Sequence, residues 1–204
     1  MAALINLHQF VSRSRVNGPG ERAVVWVQGC PRACPGCFNP TSQPFKAANK
    51  VTVEELESQI LAIEQIDGVT FSGGEPFCQA GVLAVLAERL HAHGLTVVIY
   101  TGYTLEELRA ANRPDWVALL KESDLLIDGP YMQELYCNEP FRGSSNQQLR
   151  FLTGRIQPGD IQPSTPQAAE FTLDASGTVT ATGFPQGATA NEAFAEIAAI
   201  LGGS

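Results

Sequence analysis

The sequence predicts an α/β fold in which parallel strands alternate with helices. Four short apolar runs have the length of strands, and between them apolar residues recur at helical spacing. Strands that alternate with helices of about a dozen residues form parallel βαβ units, because a parallel connection has to cross back over the sheet. The predicted strands lie at 23–28, 68–71, 96–100 and 124–128, and the predicted helices at 53–63, 78–92 and from 104 onward.

The first predicted elements lead into a cysteine-rich loop. Residues 4–12 read as a strand or hairpin arm, and the polar turn Asn17–Gly20 follows them. The apolar run at 23–28 then forms a buried strand that delivers the chain to Cys30. The cysteine loop is therefore expected directly after the first strand of the parallel sheet.

The helices and the last strand have signals at their ends. Thr52 and Thr104 are each followed three residues later by a glutamate, which is the pattern of a capping box. Gly94 is placed to end the helix at 78–92. Gly129 and Pro130 stop the strand at 124–128 because neither residue favours its continuation.

The pattern changes after residue 150. A connector rich in Pro and Gly is followed by two strand-like runs, 170–173 and 178–181, on either side of a turn. An amphipathic helix at about 190–201 ends the chain. We therefore expect a core at 1–152 and, at 153–204, an extension of loop, β-hairpin and helix, whose hairpin covers a sheet edge or shapes a substrate opening.

Composition limits the possible functions. The chain has 204 residues, of which 44% are hydrophobic and 17% charged, as in a globular protein with a full core. A formal net charge of −8 disfavours nucleic acid as a partner, since phosphate binding needs clustered Lys and Arg. The apolar runs are too short for a membrane span, and the N-terminus lacks a signal-peptide pattern. With five cysteines, these features predict a cytoplasmic location.

Three cysteines carry the strongest chemical signal. Cys30, Cys34 and Cys37 have the spacing C-x3-C-x2-C within one loop. Three thiolates this close can hold one soft metal centre and leave a coordination position without a ligand from the loop. A four-iron cluster that only carries electrons usually has four cysteines, so the missing fourth points to an iron that binds a substrate or cofactor.

Other interpretations of the loop remain open at this point. A structural zinc site would need a second pair of ligands, and no matching Cys or His pair follows downstream. Unligated or redox-active cysteines are the remaining possibility, whereas disulfides do not fit three crowded thiols in a reducing compartment. Cys78 and Cys137 are interpreted as packing residues.

A glycine-rich turn follows the second parallel strand. The segment Ser72–Pro76 reads Ser-Gly-Gly-Glu-Pro and lies where open α/β folds bind their ligands. Gly73 and Gly74 allow the backbone to approach a ligand closely, and Glu75 adds a carboxylate. Carbonyl groups beside a carboxylate suit an ammonium group better than a phosphate. Taken alone, such a turn also serves as a simple strand-to-helix connection.

With these motifs in place, the chain resembles the radical S-adenosylmethionine superfamily, and within it the small activating enzymes of anaerobic ribonucleotide reductase. The resemblance rests first on the cysteine loop and the Gly-Gly-Glu-Pro turn. Further motifs of the branch match at Cys34–Asn39, Thr101–Thr104, Asp128–Tyr131 and Arg142–Gln147. It covers about residues 5–152, and it implies an incomplete parallel β/α barrel with the cofactor at the carboxyl ends of the strands.

The resemblance also implies a site. Cys30, Cys34 and Cys37 would bind a 4Fe-4S cluster whose open iron binds S-adenosylmethionine. Cofactor contacts are then expected from residues of the cysteine loop, the glycine-rich turn and the ends of the third and fourth strands. These residues are Gly36, Cys37, Phe38, Gly73, Gly74, Glu75, Thr101 and Asp128. For Asp128, a turn carboxylate that caps backbone N–H groups is an equally good interpretation.

The implied activity is radical formation on a partner protein. Reductive cleavage of S-adenosylmethionine would give a 5′-deoxyadenosyl radical that installs a glycyl radical on anaerobic ribonucleotide reductase, with a flavodoxin or ferredoxin-type protein as electron donor. Two other functions compete with this one: a radical enzyme that acts on a peptide or small molecule, and an iron–sulfur electron-transfer or metal-binding module. Activating enzymes of this branch commonly end near the position of Arg150, whereas this chain continues to Ser204.

Overall fold

The structure is a computed structural model that describes residues 4–161, 169–173 and 179–183. The strands are β1 (Leu4–Ser14), β2 (Arg22–Val27), β3 (Asn49–Thr52), β4 (Gly68–Gly73), β5 (Thr96–Thr101), β6 (Leu125–Asp128), β7 (Tyr136–Glu139), β8 (Arg142–Ser144), β9 (Gln148–Phe151), β10 (Ala169–Leu173) and β11 (Val179–Gly183). The α-helices are α1 (Val53–Leu61), α2 (Ala80–Ala92), α3 (Leu105–Ala110) and α4 (Pro114–Lys121).

One mixed sheet of seven strands forms the centre of the described chain, in the order β3-β1-β2-β4-β5-β6-β9. The four strands β2, β4, β5 and β6 are parallel to one another, as the alternation of strands and helices predicts. The flanking strands β1, β3 and β9 pair antiparallel. The parallel strands therefore all end at the same edge of the sheet.

The helices pack on one face of this sheet. Alternate residues of β2, such as Ala23 and Val25, join a fully buried apolar cluster with Leu83 and Leu86 of α2. The predicted α/β class is confirmed at this level, while closure into an incomplete β/α barrel stays a prediction. No helix among the described residues has the length and apolar character that a membrane crossing requires.

Several short elements were missed by the sequence patterns. The predicted helix from Thr104 is interrupted, because α3 ends at Ala110 and α4 begins at Pro114. Asn112 has a positive φ of 48°, and Arg113, which precedes Pro114, is extended because a residue before proline is disfavoured in the helical conformation, so the chain turns here. The capping boxes predicted at Thr52 and Thr104 are both present.

The sequence patterns do not predict strands β3, β7, β8 and β9, because these strands are too short and polar for a periodic signal.

A buried arginine occupies the amino end of the parallel strands, on the face opposite the helices. The side chain of Arg22 is 1% exposed, and it donates to the carbonyl oxygens of Pro19, Val69 and Thr96 and to the hydroxyls of Thr70 and Thr96. Burial lowers the pKa of Arg22 to about 10, so the guanidinium is still charged at neutral pH. The sheet therefore has a closed, polar base at this end.

The two predicted strands of the extension are present as β10 and β11, which pair antiparallel. They contact the loop after β1: Glu170 accepts from the backbone N–H of Arg15 at 2.9 Å, and Thr182 accepts from the Asn17 side chain at 2.6 Å. This loop lies at the amino ends of the parallel strands, opposite the cysteines. The helix expected at 190–201 lies outside the described residues.

The position of β10 and β11 predicts the effect of a truncation. Ile156 is buried against Val98 and Leu125, so the cut has to follow Ile161 rather than the predicted boundary at 152. Removing 162–204 should leave the predicted cleavage of S-adenosylmethionine intact and cost about 1–3 kcal/mol of stability through the lost hydrogen bonds. Thermal unfolding and 5′-deoxyadenosine release would measure the two effects. A truncated protein that cleaves the cofactor but no longer modifies its substrate would instead assign the extension to the substrate opening.

Candidate active site

The three loop cysteines lie beside the carboxyl ends of the parallel strands. Cys30, Cys34 and Cys37 line one cavity of about 120 Å³ that is open to solvent. The same cavity is lined by Gly73, Gly74 and Glu75 after β4, and by Thr101 at the end of β5. Two motifs that are separated by some forty residues in the sequence therefore meet in one cleft.

Backbone amides face the sulfur atoms. The backbone amides of Arg32 and Ala33 lower the pKa of Cys30, and that of Tyr131 lowers the pKa of Cys34, so they favour the thiolates. The amide of Asn39 donates to Cys37 Sγ at 3.4 Å. N–H groups directed at sulfur stabilise the thiolate and the anionic cluster that thiolates bind. The donor set of the loop therefore suits an iron–sulfur cluster.

Burial opposes the charged form of two of these thiols. It raises the pKa of Cys30 and of Cys34 above the ordinary thiol value, against the effect of the amides. Both side chains are therefore protonated at neutral pH in the metal-free protein, and metal binding has to displace their protons. Among the described residues, no three Cys, His, Asp or Glu side chains converge at single-ion spacing. A four-iron cluster can be bound by cysteine side chains that lie farther apart, since each cysteine binds a different iron.

The glycine-rich turn is joined to the cysteine loop through the backbone. The N–H of Gly74 donates to the carbonyl of Val27 at 2.7 Å, and the N–H of Glu75 donates to that of Gly29 at 2.8 Å. Gly73 has a φ of 96°, a conformation that favours glycine. The position of the turn therefore fixes the backbone immediately before Cys30.

The carboxylate of Glu75 is engaged inside the protein. Its Oε1 accepts from the Thr101 hydroxyl at 2.8 Å and from the Phe77 amide at 3.1 Å, and its Oε2 accepts from the Gly102 amide at 2.9 Å. The side chain is buried, and burial raises the pKa of Glu75 to about 7 although these donors oppose the rise. These contacts favour a positioning role, in which Glu75 and Thr101 hold the ends of β4 and β5 together.

Asp128 has two partners of a similar kind. Its Oδ2 accepts from the amide of Leu105 at 2.7 Å, and its Oδ1 accepts from Arg150 Nε at 3.1 Å. The side chain thus caps the first turn of α3 and ties β6 to β9. Of the two interpretations left open by the sequence, the geometry favours the capping carboxylate over a cation ligand.

Two other expected cofactor residues lie outside the cavity wall. Gly36 has a φ of 67°, and a Cβ there would come within 2.5 Å of Gln133 Oε1. The ring of Phe38 contacts that of Tyr131 in a tilted arrangement with centroids 4.7 Å apart, and it packs against Gly143. In the described residues, Gly36 and Phe38 support the conformation of the cysteine loop without lining the cavity. Direct contact of either residue with a cofactor stays a prediction.

The cavity is also lined by two residues that the sequence patterns indicate only weakly. Gln147 accepts from the amides of Gly143 and Ser144 and donates to the carbonyl of Gly129, which fixes the turn after β6. Arg32, inside the cysteine loop, lines the cavity as well. The sequence could have indicated Arg32 as a site residue, because it is a cation between two cysteines. The place of Gln147 in the site depends on contacts that form only in the folded chain.

The fold and the site define a class of iron–sulfur protein. Residues 16–150 match the family model described as a 4Fe-4S single cluster domain. This match spans the cysteine loop, the glycine-rich turn and the strand ends that form the cavity.

Curated relatives place the chain within that class. It is 35% identical over 158 residues to the anaerobic ribonucleoside-triphosphate reductase-activating protein of Salmonella typhi, covering 71% of this chain and 97% of the relative. Its identity to the same protein of Escherichia coli (strain K12) is 33% over 162 residues, covering 72% and 99%. The protein of Enterobacteria phage T4 is 33% identical over 141 residues, covering 66% and 86%. The chain belongs to the family of anaerobic ribonucleoside-triphosphate reductase-activating proteins.

Proposed function

We propose that this chain is a radical S-adenosylmethionine enzyme that installs a glycyl radical on an anaerobic ribonucleotide reductase. The observation that carries the proposal is the single cleft in which Cys30, Cys34 and Cys37 face Gly73 and Gly74. When bound, the cluster and cofactor supply one-electron cleavage of the S–C5′ bond, and the resulting 5′-deoxyadenosyl radical takes a hydrogen atom from a glycine Cα.

The chain's own residues have three tasks in this scheme. The three cysteines hold the cluster as thiolates, with backbone amides directed at their sulfurs. The turn at Gly73 and Gly74 offers unobstructed backbone for the amino-acid part of the cofactor. Glu75, through Thr101 and Gly102, holds the end of β4 to the end of β5 beside the cysteine loop.

The cleft also has to limit side reactions. A primary carbon radical reacts with almost any neighbouring C–H group, so the reacting glycine has to be brought close while other groups are kept away. The open side of the cavity suits delivery of a polypeptide segment. A flavodoxin or ferredoxin-type donor in the cytoplasm is part of the same proposal, and the chain's net charge of −8 makes nucleic acid a poor partner.

The test is an anaerobic incubation of the reconstituted protein with S-adenosylmethionine, a chemical reductant and the anaerobic reductase of the same organism. A glycyl radical signal on the reductase, together with release of 5′-deoxyadenosine, is the expected result. Release of 5′-deoxyadenosine without a radical on the reductase would indicate a radical enzyme with a peptide or small-molecule substrate. An iron-loaded protein that never cleaves the cofactor would indicate an electron-transfer or metal-binding module.

A further inference from the structure

Arg32 has an unusual position for a charged residue. It lies between Cys30 and Cys34 in the cysteine loop, and its side chain lines the cavity that the three cysteines share. The side chain is 25% exposed, so most of the guanidinium is removed from water. A charge held here acts on the cavity through a medium of lower dielectric constant than bulk solvent.

Contacts with the turn after β5 hold Arg32 in place. The guanidinium carbon lies 4.2 Å from the centre of the Tyr103 ring, within range of a cation–π interaction. Arg32 Nη2 forms an ion pair with Glu107 Oε2 at 2.8 Å, and the same oxygen accepts from the Thr104 amide at 2.8 Å. Gly102 makes room, because a Cβ there would lie 2.9 Å from Arg32 Cγ.

One donor of this side chain has no partner. Arg32 Nε is buried and has no hydrogen-bond acceptor among the described residues. A buried N–H without an acceptor is unfavourable, and an acceptor in the cavity would satisfy it. The acceptors that the proposed function brings there are the sulfur atoms of an anionic cluster.

We propose that Arg32 raises the reduction potential of the cluster, and that Glu107 partly offsets this effect. The proposal rests on the proposed function, since it requires a cluster bound by Cys30, Cys34 and Cys37. Reduction adds one negative charge to the cluster, and a nearby fixed cation stabilises the reduced form more than the oxidised form. Hydrogen bonds to cluster sulfurs act in the same direction. Glu107 is half exposed, so its opposing effect is screened and smaller.

The experiment is a redox titration of the reconstituted proteins, followed by electron paramagnetic resonance of the reduced cluster. Arg32→Gln is expected to shift the midpoint potential to a more negative value, and Glu107→Gln to shift it by less in the opposite direction. Arg32→Lys, which keeps the charge without the Nε donor, should lie between the parent and Arg32→Gln. The matched control is Arg109→Gln, which removes an exposed charge from α3 and should leave the potential unchanged.

The outcomes separate this proposal from the proposed function. If Arg32→Gln and Arg109→Gln have the same midpoint potential, the proposal about Arg32 is wrong. A cluster and activity that remain in both variants would leave the proposed function standing. If Arg32→Gln fails to retain iron, the midpoint potentials of Glu107→Gln and Arg32→Lys test the proposal instead. Potentials equal to that of the parent in both variants would reject it. A parent protein that binds no four-iron cluster would instead refute the proposed function itself.

Discussion

Replacing Cys34 with Ala is expected to abolish reductive cleavage of S-adenosylmethionine and to prevent assembly of the cluster. The parent protein should hold about four irons per chain after anaerobic reconstitution. Cys34 lies in the cavity wall between the other two cysteines in sequence, and the Tyr131 amide faces its sulfur. Losing it leaves too few ligands from the loop, so iron content and 5′-deoxyadenosine formation should both fall to background. Cys30→Ala and Cys37→Ala should behave in the same way.

The remaining two cysteines provide the matched controls. Cys78 is exposed and lines a different groove, and Cys137 lies in β7, outside the cavity wall. Cys78→Ala and Cys137→Ala should keep both iron and cofactor cleavage. Full cluster assembly in Cys34→Ala, or one zinc per chain in the anaerobically purified parent, would show that the ligands have been assigned wrongly.

Replacing Gly74 with Ala is expected to disturb the site through sterics alone. A Cβ at this position would lie 2.4 Å from the carbonyl oxygen of Gly29 and 2.8 Å from its carbonyl carbon. Because both atoms belong to the backbone, no side chain can rotate to make room, and the segment that precedes Cys30 has to move. Such overpacking costs about 1–3 kcal/mol. Where that cost falls on the arrangement of the turn that binds the cofactor, it weakens binding by roughly 5-fold to 150-fold.

Equilibrium binding of S-adenosylmethionine to the reconstituted protein measures this effect. The control is Gly81→Ala in the first turn of α2, where a Cβ would meet only Asp115 Cβ at an ordinary 3.8 Å. Alanine is the better helix former, so Gly81→Ala should be neutral or more stable by up to about 1 kcal/mol. A Gly74→Ala protein with the iron content and affinity of the parent would contradict the close approach of the turn to Gly29.

The regular part of the fold was predictable because its signals are local. Apolar periodicity gave the four parallel strands, and the capping boxes at Thr52 and Thr104 gave two helix starts that the structure contains. The cysteine loop and the Gly-Gly turn could be placed at one sheet edge, since parallel strands share the direction in which they end.

The contacts that organise the site were not predictable in the same way. A charged residue at the start of a strand is predicted to be exposed. Arg22 is nevertheless buried, because five hydrogen-bond acceptors surround its side chain in the fold. Glu75 reads as a ligand for an ammonium group, yet its oxygens accept from Thr101, Phe77 and Gly102. Such partners are distant in sequence or belong to the backbone, and no pattern of residue types encodes them.

The closed base at Arg22 restricts how a polypeptide can enter the cleft. The buried guanidinium and the loop carbonyl of Pro19 fill the amino end of the parallel strands, where the Asn17 carbonyl also accepts from Thr70. In the described part of the chain the cleft is thus blind, and a strand cannot be threaded through it. A protein substrate would have to present its glycine at the tip of a loop whose two arms leave by the same side. Its affinity would then depend on how readily that loop detaches from the substrate's own fold.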